Sequence, residues 1–279
     1  MTTYSAPAKI NLSLRVMGKR EDGYHNVDLL MAKLDLEDRL DFHNSRTTTL
    51  LCDTPGIPLD ENNLVIKAVR EFEKAYGRKA KQRITLTKSI PFGAGLGGGS
   101  ADAAVTLRAL NEIIGTNYSD EELHAMAAAI GSDVPFFLNP VISRCTGRGE
   151  IVTPEPELAG WSSPIVLIKP QFAVSTPSAY RGLNGAHRMK GVNYGAQTVD
   201  GIKIVNELER SVFTKFPVLG LWKMWMLSQE GVRAALMSGS GSTLFALTET
   251  PEQARALAAA AKEELDSTLW TYCGTVNPQ

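Results

Sequence analysis

The chain has 279 residues, with 29 lysines and arginines against 30 aspartates and glutamates, a net charge of -1 and a 43% hydrophobic share. That length suits about two domains with ample core, while the balanced charge and the lack of basic or long apolar runs exclude nucleic-acid and membrane partners. Cys52, Cys145 and Cys273 are odd in number and widely spaced, with no C-x-x-C pair, which reads as free thiols in a reducing compartment. Without a secretion-signal pattern at its start, the chain is expected to be cytoplasmic, or a mature form that has lost a transit segment.

In chain order, residues 8–16 alternate strictly, with Ile10, Leu12, Leu14 and Val16 on one face of a strand and Lys9, Asn11, Ser13 and Arg15 on the other. Lys9 and Asn11 project side by side, either as a solvent-facing polar row or into a site. A glycine-bounded loop from Gly18 ends in Tyr24-His25, a pair that either sandwiches a flat ring or anchors the loop. Residues 38–42 look strand-like, and 44–58 read as strand and turn with Pro55-Gly56 as punctuation. Asn62 or Asn63 caps a helix that runs through Ala75 and stops at Gly77.

The stretch Pro91-Phe92-Gly93-Ala94-Gly95-Leu96-Gly97-Gly98-Gly99-Ser100-Ala101 lies between an alternating strand (83–90) and a helix marked by Ala101, Ala104, Leu107, Leu110 and Ile114, ended by Gly115. So many glycines allow backbone amides to bend tightly around an anion, and the loop feeds a helix N-terminus, where free N–H groups and the dipole favour phosphate. The expectation is a nucleotide-phosphate loop. No lysine follows the last glycine as in a Walker A sequence, so a lysine from elsewhere is required. Gly93-x-Gly95-x-x-Gly98 matches a dinucleotide fingerprint, yet the acidic residues 120–122 begin a helix rather than end a strand.

Ser119 to Glu122 form a capping box opening a helix that ends at Gly131. Asp133, followed by Val-Pro-Phe-Phe-Leu, is expected to be desolvated and to need a cation or a proton; it equally suits the N-cap of a short helix with Pro135 in its first turn. A turn to Pro, Gly and Ser between Glu155 and Pro164 predicts a domain boundary, dividing the chain into 1–155 and 156–279. Beyond it come a buried strand (165–168), a helix with Thr176 as N-cap and Pro177 at its first position, and a polar, mobile loop from Asn184 to Gly201. Helices follow over 206–216 and 219–230. Residues 234–247 make two apolar runs joined by a Gly/Ser turn, either an ordinary hairpin or a second close backbone approach to the first loop or its ligand. A capped, alanine-rich helix from Thr250 and a strand over 269–276 complete an α+β pattern in two lobes.

Three segments in this order, Pro7-Ala8-Lys9-Ile10-Asn11-Leu12, Pro91 to Ala104 and Met237-Ser238-Gly239-Ser240-Gly241-Ser242, resemble the signature motifs of the GHMP small-molecule kinases. Gly23-Tyr24-His25, Gly131 to Phe137 and Gly147-Arg148-Gly149-Glu150 narrow the resemblance to members acting on a cytidine-diphosphate-linked methylerythritol of the non-mevalonate isoprenoid pathway. The resemblance implies a ribosomal-S5-like N-terminal α/β lobe that binds ATP and a ferredoxin-like C-terminal lobe, acting as a monomer or homodimer. It implies ATP phosphates on residues 91–101, Lys9 as the distant lysine, and Asp133 as general base toward the acceptor hydroxyl with Lys9 as its partner. Asn11 and His25 are implied to hydrogen-bond the substrate, Tyr24 and Tyr180 to stack on either face of its cytosine, and Thr176 and Pro177 to lie nearby. Tyr180 stands where other members often carry Phe, and Glu207 where they often carry Asp. Mg²⁺ is the implied metal; Ser100 is the only ligand candidate at the loop, and the full ligand set is not assigned.

Overall fold

The computed structural model describes residues 1–278. It opens with a long antiparallel hairpin of β1 (Thr2–Lys19) and β2 (His25–Asn44). There follow β3 (Thr49–Cys52), α1 (Leu64–Tyr76), β4 (Gln82–Thr87), α2 (Gly98–Ile114), α3 (Asp120–Ile130), the one-turn α4 (Val134–Phe137), β5 (Ser143–Thr146) and β6 (Ile151–Pro154). The remainder supplies β7 (Ser163–Lys169), α5 (Thr176–Arg181), β8 (Gln197–Val199), β9 (Ile202–Asn206), α6 (Glu209–Lys215), α7 (Pro217–Leu227), β10 (Val232–Met237), β11 (Leu244–Thr248), α8 (Pro251–Glu264) and β12 (Trp270–Val276). The fold is α+β, as the element pattern predicts.

The hairpin is the spine. One path through the sheet runs β10-β11-β7-β12-β2-β1-β9-β8, while β4 and β5 pair with two further stretches of β2. Helices α1, α2 and α3 pack on one another with α2 laid along β1, and α8 covers β7 and β12. Local chemistry sets the helix ends. Asn63 accepts the N–H of Val65 at 2.8 Å, Gly77 leaves α1 at φ 72°, and Ser119-Glu122 and Thr250-Gln253 form reciprocal capping boxes.

Tertiary contacts decide one alternative that the sequence leaves open and correct several expectations. Lys9 and Asn11 do not face solvent, being 4% and 1% exposed, because β1 is covered on both sides. A β-bulge between Asn11 and Ser13 interrupts the strict alternation: Ile10 and Leu12 pack in one apolar cluster and Leu14 in the other. Asp133 occupies the N-cap of α4 but makes no capping bond, and its side chain keeps 35% of its exposure instead of being desolvated. Thr176 is the first residue of α5, with Ser175 as N-cap, and the Thr176 hydroxyl is shared with that of Ser240 at 2.8 Å. The segment expected as a loop to Gly201 closes with β8, and residues 202–206 form β9. There the Asn206 side chain accepts the N–H of Leu208 at 2.9 Å, so α6 begins at Glu209 rather than at 206.

Two apolar clusters result. The larger joins the helical layers to the sheet through Phe42, Phe72, Phe136 and Phe213, each worth about 1.5–3 kcal/mol when buried. The second draws Ile10, Leu12 and Leu34 of the hairpin against Ile165, Leu167, Leu236 and Phe245, uniting residues from both sides of the 155–164 stretch. A buried ion pair crosses the C-terminal part: Lys223 of α7 meets Glu209 of α6 at 2.6 Å, with side chains 0% and 1% exposed. The other oxygen of Glu209 accepts the N–H of Met237 at 2.9 Å, anchoring the end of β10. Burial pushes the Glu209 carboxyl up, against the pull of Lys223. Lys223→Met leaves that carboxylate buried without its cation, and chemical denaturation is expected to show a loss of about 3–5 kcal/mol; a loss below about 1 kcal/mol would show that the pair is dispensable.

Candidate active site

Three distant segments meet around the glycine loop. The backbone N–H of Lys9 donates to the carbonyl of Leu96 at 2.9 Å, and the Ser238 hydroxyl donates to the carbonyl of Gly95 at 3.0 Å. Gly95 and Gly97 both take positive φ, 77° and 71°. A Cβ on Gly95 would stand 2.3 Å from the carbonyl oxygen of Ser238, and one on Gly97 would stand 2.8 Å from the Phe137 ring and 2.9 Å from Cγ of Lys9. Only glycine permits both the dihedral and the approach. The turn at 237–239 is itself held by Asn206, whose side-chain amide donates to the carbonyls of Met237 and Gly239 at 2.7 and 2.8 Å.

Gly97 is the N-cap of α2 and offers no side chain to its end. The N–H of Ala101 is the first bonded within the helix, to the carbonyl of Gly97 at 2.9 Å, and its side chain is buried in the core. Ala101 therefore differs from its expected part in the loop, whereas Gly98, Gly99 and Ser100 carry the free amides of the first turn. These residues border a cleft of about 430 Å³ that residues 91–100 line together with Lys9, Asn11, Lys88, Asp102 and Asp133. Nζ of Lys9 donates to Oδ1 of Asn11 at 2.7 Å and lies 3.5 Å from Oδ2 of Asp133. A cation, a carboxylate and a helix N-terminus thus share one wall system.

A second lysine was not expected from the sequence. Lys88, just beyond β4, pairs with Asp38 of β2 and, at 2.9 Å, with Asp102 of α2, all three side chains being at most 7% exposed. Asp38 also accepts the N–H groups of Ser89 and Ile90 at 2.7 and 2.9 Å, pinning the chain where it enters the loop. The period-two pattern held part of the signal: in sequence Asp38 falls between Leu36 and Leu40, and Lys88 follows Ile84 and Leu86, so a charge stands in each alternating apolar row. Two carboxylates on one ammonium leave one negative charge in excess, and Oδ1 of Asp102 has no partner. Burial, then the charge of Asp38, pushes the Asp102 carboxyl up to about 7 despite Lys88.

On the far side of Asp133 stand Thr176 and Tyr180, which line the cleft, and Arg148, whose guanidinium lies 5.2 Å over the Tyr24 ring. Burial and then the charge of Asp133 push the Tyr180 hydroxyl up. The two rings expected to flank a base do not face each other. Tyr180 stacks on His25, centroids 5.1 Å apart, while Tyr24 is 56% exposed beneath Arg148. Pro177 is exposed on the first turn of α5, outside the cleft wall, as are Tyr24 and His25. The segment 57–64, which in sequence is only the end of a turn and a helix cap, also lines the cleft through Ile57, Pro58, Asn63 and Leu64. Their composition carried no signal beyond a helix cap.

The fold and this cleft are those of a small-molecule kinase. Models of the GHMP kinase N-terminal and C-terminal domains match residues 63–139 and 199–267, and the chain belongs to the GHMP kinase family. Within it the chain groups with the 4-diphosphocytidyl-2-C-methyl-D-erythritol kinases. It is 43% identical to that kinase of Methylacidiphilum infernorum, over 87% of this chain and 84% of the relative. Identity is 38% to that of Pelotomaculum thermopropionicum, over 99% of both chains. A crystal structure of 4-(cytidine 5'-diphospho)-2C-methyl-D-erythritol kinase superposes with a TM-score of 0.81 at 34% identity, covering 100% of each chain. A mevalonate kinase, at TM-score 0.67 and 11% identity, shares the fold.

Gly95→Ala is expected to weaken binding of a non-hydrolysable ATP analogue at least tenfold and to cost about 1–3 kcal/mol of stability. Gly160→Ala, where a Cβ meets nothing within 4 Å, serves as the neutral control. Asp102 holds its proton to higher pH in the fold than in the unfolded chain, so its contribution to stability falls as pH rises from 3.8 to about 7. Asp102→Asn should remove that part of the pH dependence, read as a flatter melting temperature across the interval; an unchanged slope would place the titration elsewhere.

Proposed function

We propose that this chain transfers the γ-phosphate of ATP to the 2-hydroxyl of 4-diphosphocytidyl-2-C-methyl-D-erythritol, a step of the non-mevalonate route to isoprenoid precursors. The observation that carries the reading is the 3.5 Å approach of buried Lys9 to Asp133 across a cleft whose other wall is the open N-terminus of α2. Phosphoryl transfer depends chiefly on alignment and charge neutralisation, and this arrangement supplies both. The family and the identities to its named members support the donor and the acceptor.

In this reading the amides of Gly98, Gly99 and Ser100 hold phosphate oxygens, and the positive φ at Gly95 and Gly97 aims them. The apolar end formed by Ile57, Pro58 and Leu64 receives the base of ATP. Asp133 accepts the proton of the acceptor hydroxyl, which its partial exposure allows it to reach. Lys9 orients that carboxylate and, being itself oriented by Asn11, presents its positive charge to the transferred group. Asn11 and His25 hydrogen-bond the acceptor, Tyr180 and Tyr24 contact its cytosine, and Thr176 and Pro177 shape the entrance. Because His25 occupies the face of Tyr180, that stack parts to admit the base. Arg148 is added to this set: it bridges Tyr24 and the cleft.

Mg²⁺ fits as a cation carried on the phosphates, where it would neutralise charge on the transferred group. Among the described residues no group of three histidine, cysteine or acidic side chains could hold a metal alone, and the Ser100 hydroxyl at the first turn of α2 is the ligand the chain offers. The three free cysteines suit a reducing, cytoplasmic compartment, and no helix among the described residues is long and apolar enough to cross a membrane.

Asp133→Asn is expected to lower kcat by about 10²–10⁴-fold while the affinity for a non-hydrolysable ATP analogue stays within twofold. Wild-type turnover in that variant removes Asp133 from the mechanism. In an acceptor panel, ADP release should require the cytidine-diphosphate-linked acceptor; equal release with mevalonate, homoserine or a hexose would overturn the assignment.

A further inference from the structure

A second cavity, of about 440 Å³, opens on the other side of His25, between the end of the β1–β2 hairpin, the segment 183–194 and the start of α6. Its size is that of a small-molecule site. Lys19, Arg188 and Arg210 converge on it. None of the three forms an ion pair among the described residues, although eight other arginines of the chain do. The one carboxylate in the wall, Glu207, is committed to the backbone: its Oε2 accepts the N–H of Val16 at 2.7 Å. The cavity therefore carries two positive charges in excess, in a chain whose net charge is -1.

We propose that this cavity binds a phosphate- or diphosphate-bearing small molecule, separately from the catalytic cleft. Unpaired guanidinium groups in a concave, polar wall match the charge and the paired oxygens of a phosphate better than any neutral ligand. The two sites share a partition. His25 lines the second cavity while its ring stacks on Tyr180, which lines the cleft. Asn206, also in the second wall, holds the carbonyls of Met237 and Gly239 beside Lys9. A ligand that moves either residue reaches the catalytic cleft through one layer of side chains.

The ligand of the proposal is a free phosphorylated compound, and the competing occupant is the diphosphate of the acceptor extending past His25. Calorimetric titration with inorganic pyrophosphate distinguishes them, with the glycine loop saturated by a non-hydrolysable ATP analogue and Mg²⁺ in excess. Wild type is expected to bind one equivalent, and Arg188→Ser with Arg210→Ser to weaken that binding at least tenfold. Both arginines are exposed, so the double variant is expected to keep the wild-type melting temperature, affinity for the ATP analogue and KM for the acceptor. Absence of pyrophosphate binding, or equal binding by the double variant, overturns the proposal. Displacement of pyrophosphate by cytidine diphosphate, with a raised acceptor KM in the double variant, also overturns it by making the cavity part of the acceptor site. The titration requires no turnover, so its outcome is independent of the acceptor's identity.

Discussion

The close approach of three backbone segments at Gly95 and Gly97 is the constraint on which the site depends. The loop carbonyls face inward to the Lys9 N–H and the Ser238 hydroxyl, which leaves the amides of the following helical turn turned toward the cleft. A side chain at Gly95 would meet the backbone of Ser238 and Gly241, which no rotamer change can relieve, and one at Gly97 would displace the side chains of Phe137 and Lys9. The hairpin and the β10–β11 turn thereby become parts of the same cleft wall as the glycine loop.

Charge is arranged around that contact in layers. Both lysines border the cleft, but Lys9 stands with Asn11 and the partly exposed Asp133, whereas Lys88 is held between the buried carboxylates of Asp38 and Asp102. The first cation is available to an incoming ligand; the second is spent on internal carboxylates and fixes the strand, loop and helix to one another. Glu209 and Lys223 repeat the second arrangement behind the 237–239 turn. Buried pairs of this kind add little net stability, yet breaking one is costly, so they act as pins for register more than as sources of folding energy.

Much of this was legible in the chain itself. The caps at Asn63, Ser119 and Thr250 and the stops at Gly77 and Gly115 are interactions within a few residues, which sequence spacing records directly. The glycine loop between β4 and α2 was legible for the same reason, since glycine content and the strand-to-helix setting are local. Lys88, Asp38 and Asp102 were missed because three charges on apolar rows become intelligible only when the rows face each other. Arg148 was visible as part of a motif without a role, because its partner ring belongs to the opposite hairpin end. The reading of Tyr24 and Tyr180 as facing rings left out His25, which takes the position against Tyr180.

Sequence by itself determined most of the elements, the capped ends of α1, α2, α3 and α8, and the glycine-rich passage from strand to helix. Those depend on dihedral preference, capping and period, all of which act over a turn or two of chain. Tertiary structure decided that Lys88 is held by two buried carboxylates where it borders the cleft while Lys9 pairs with Asn11 and Asp133, that residues 57–64 line it and that Asp133 stays partly open to solvent. Each of these rests on segments brought together across the sheet, where burial and the nearest opposite charge, not the neighbouring residues in sequence, set what a side chain can do.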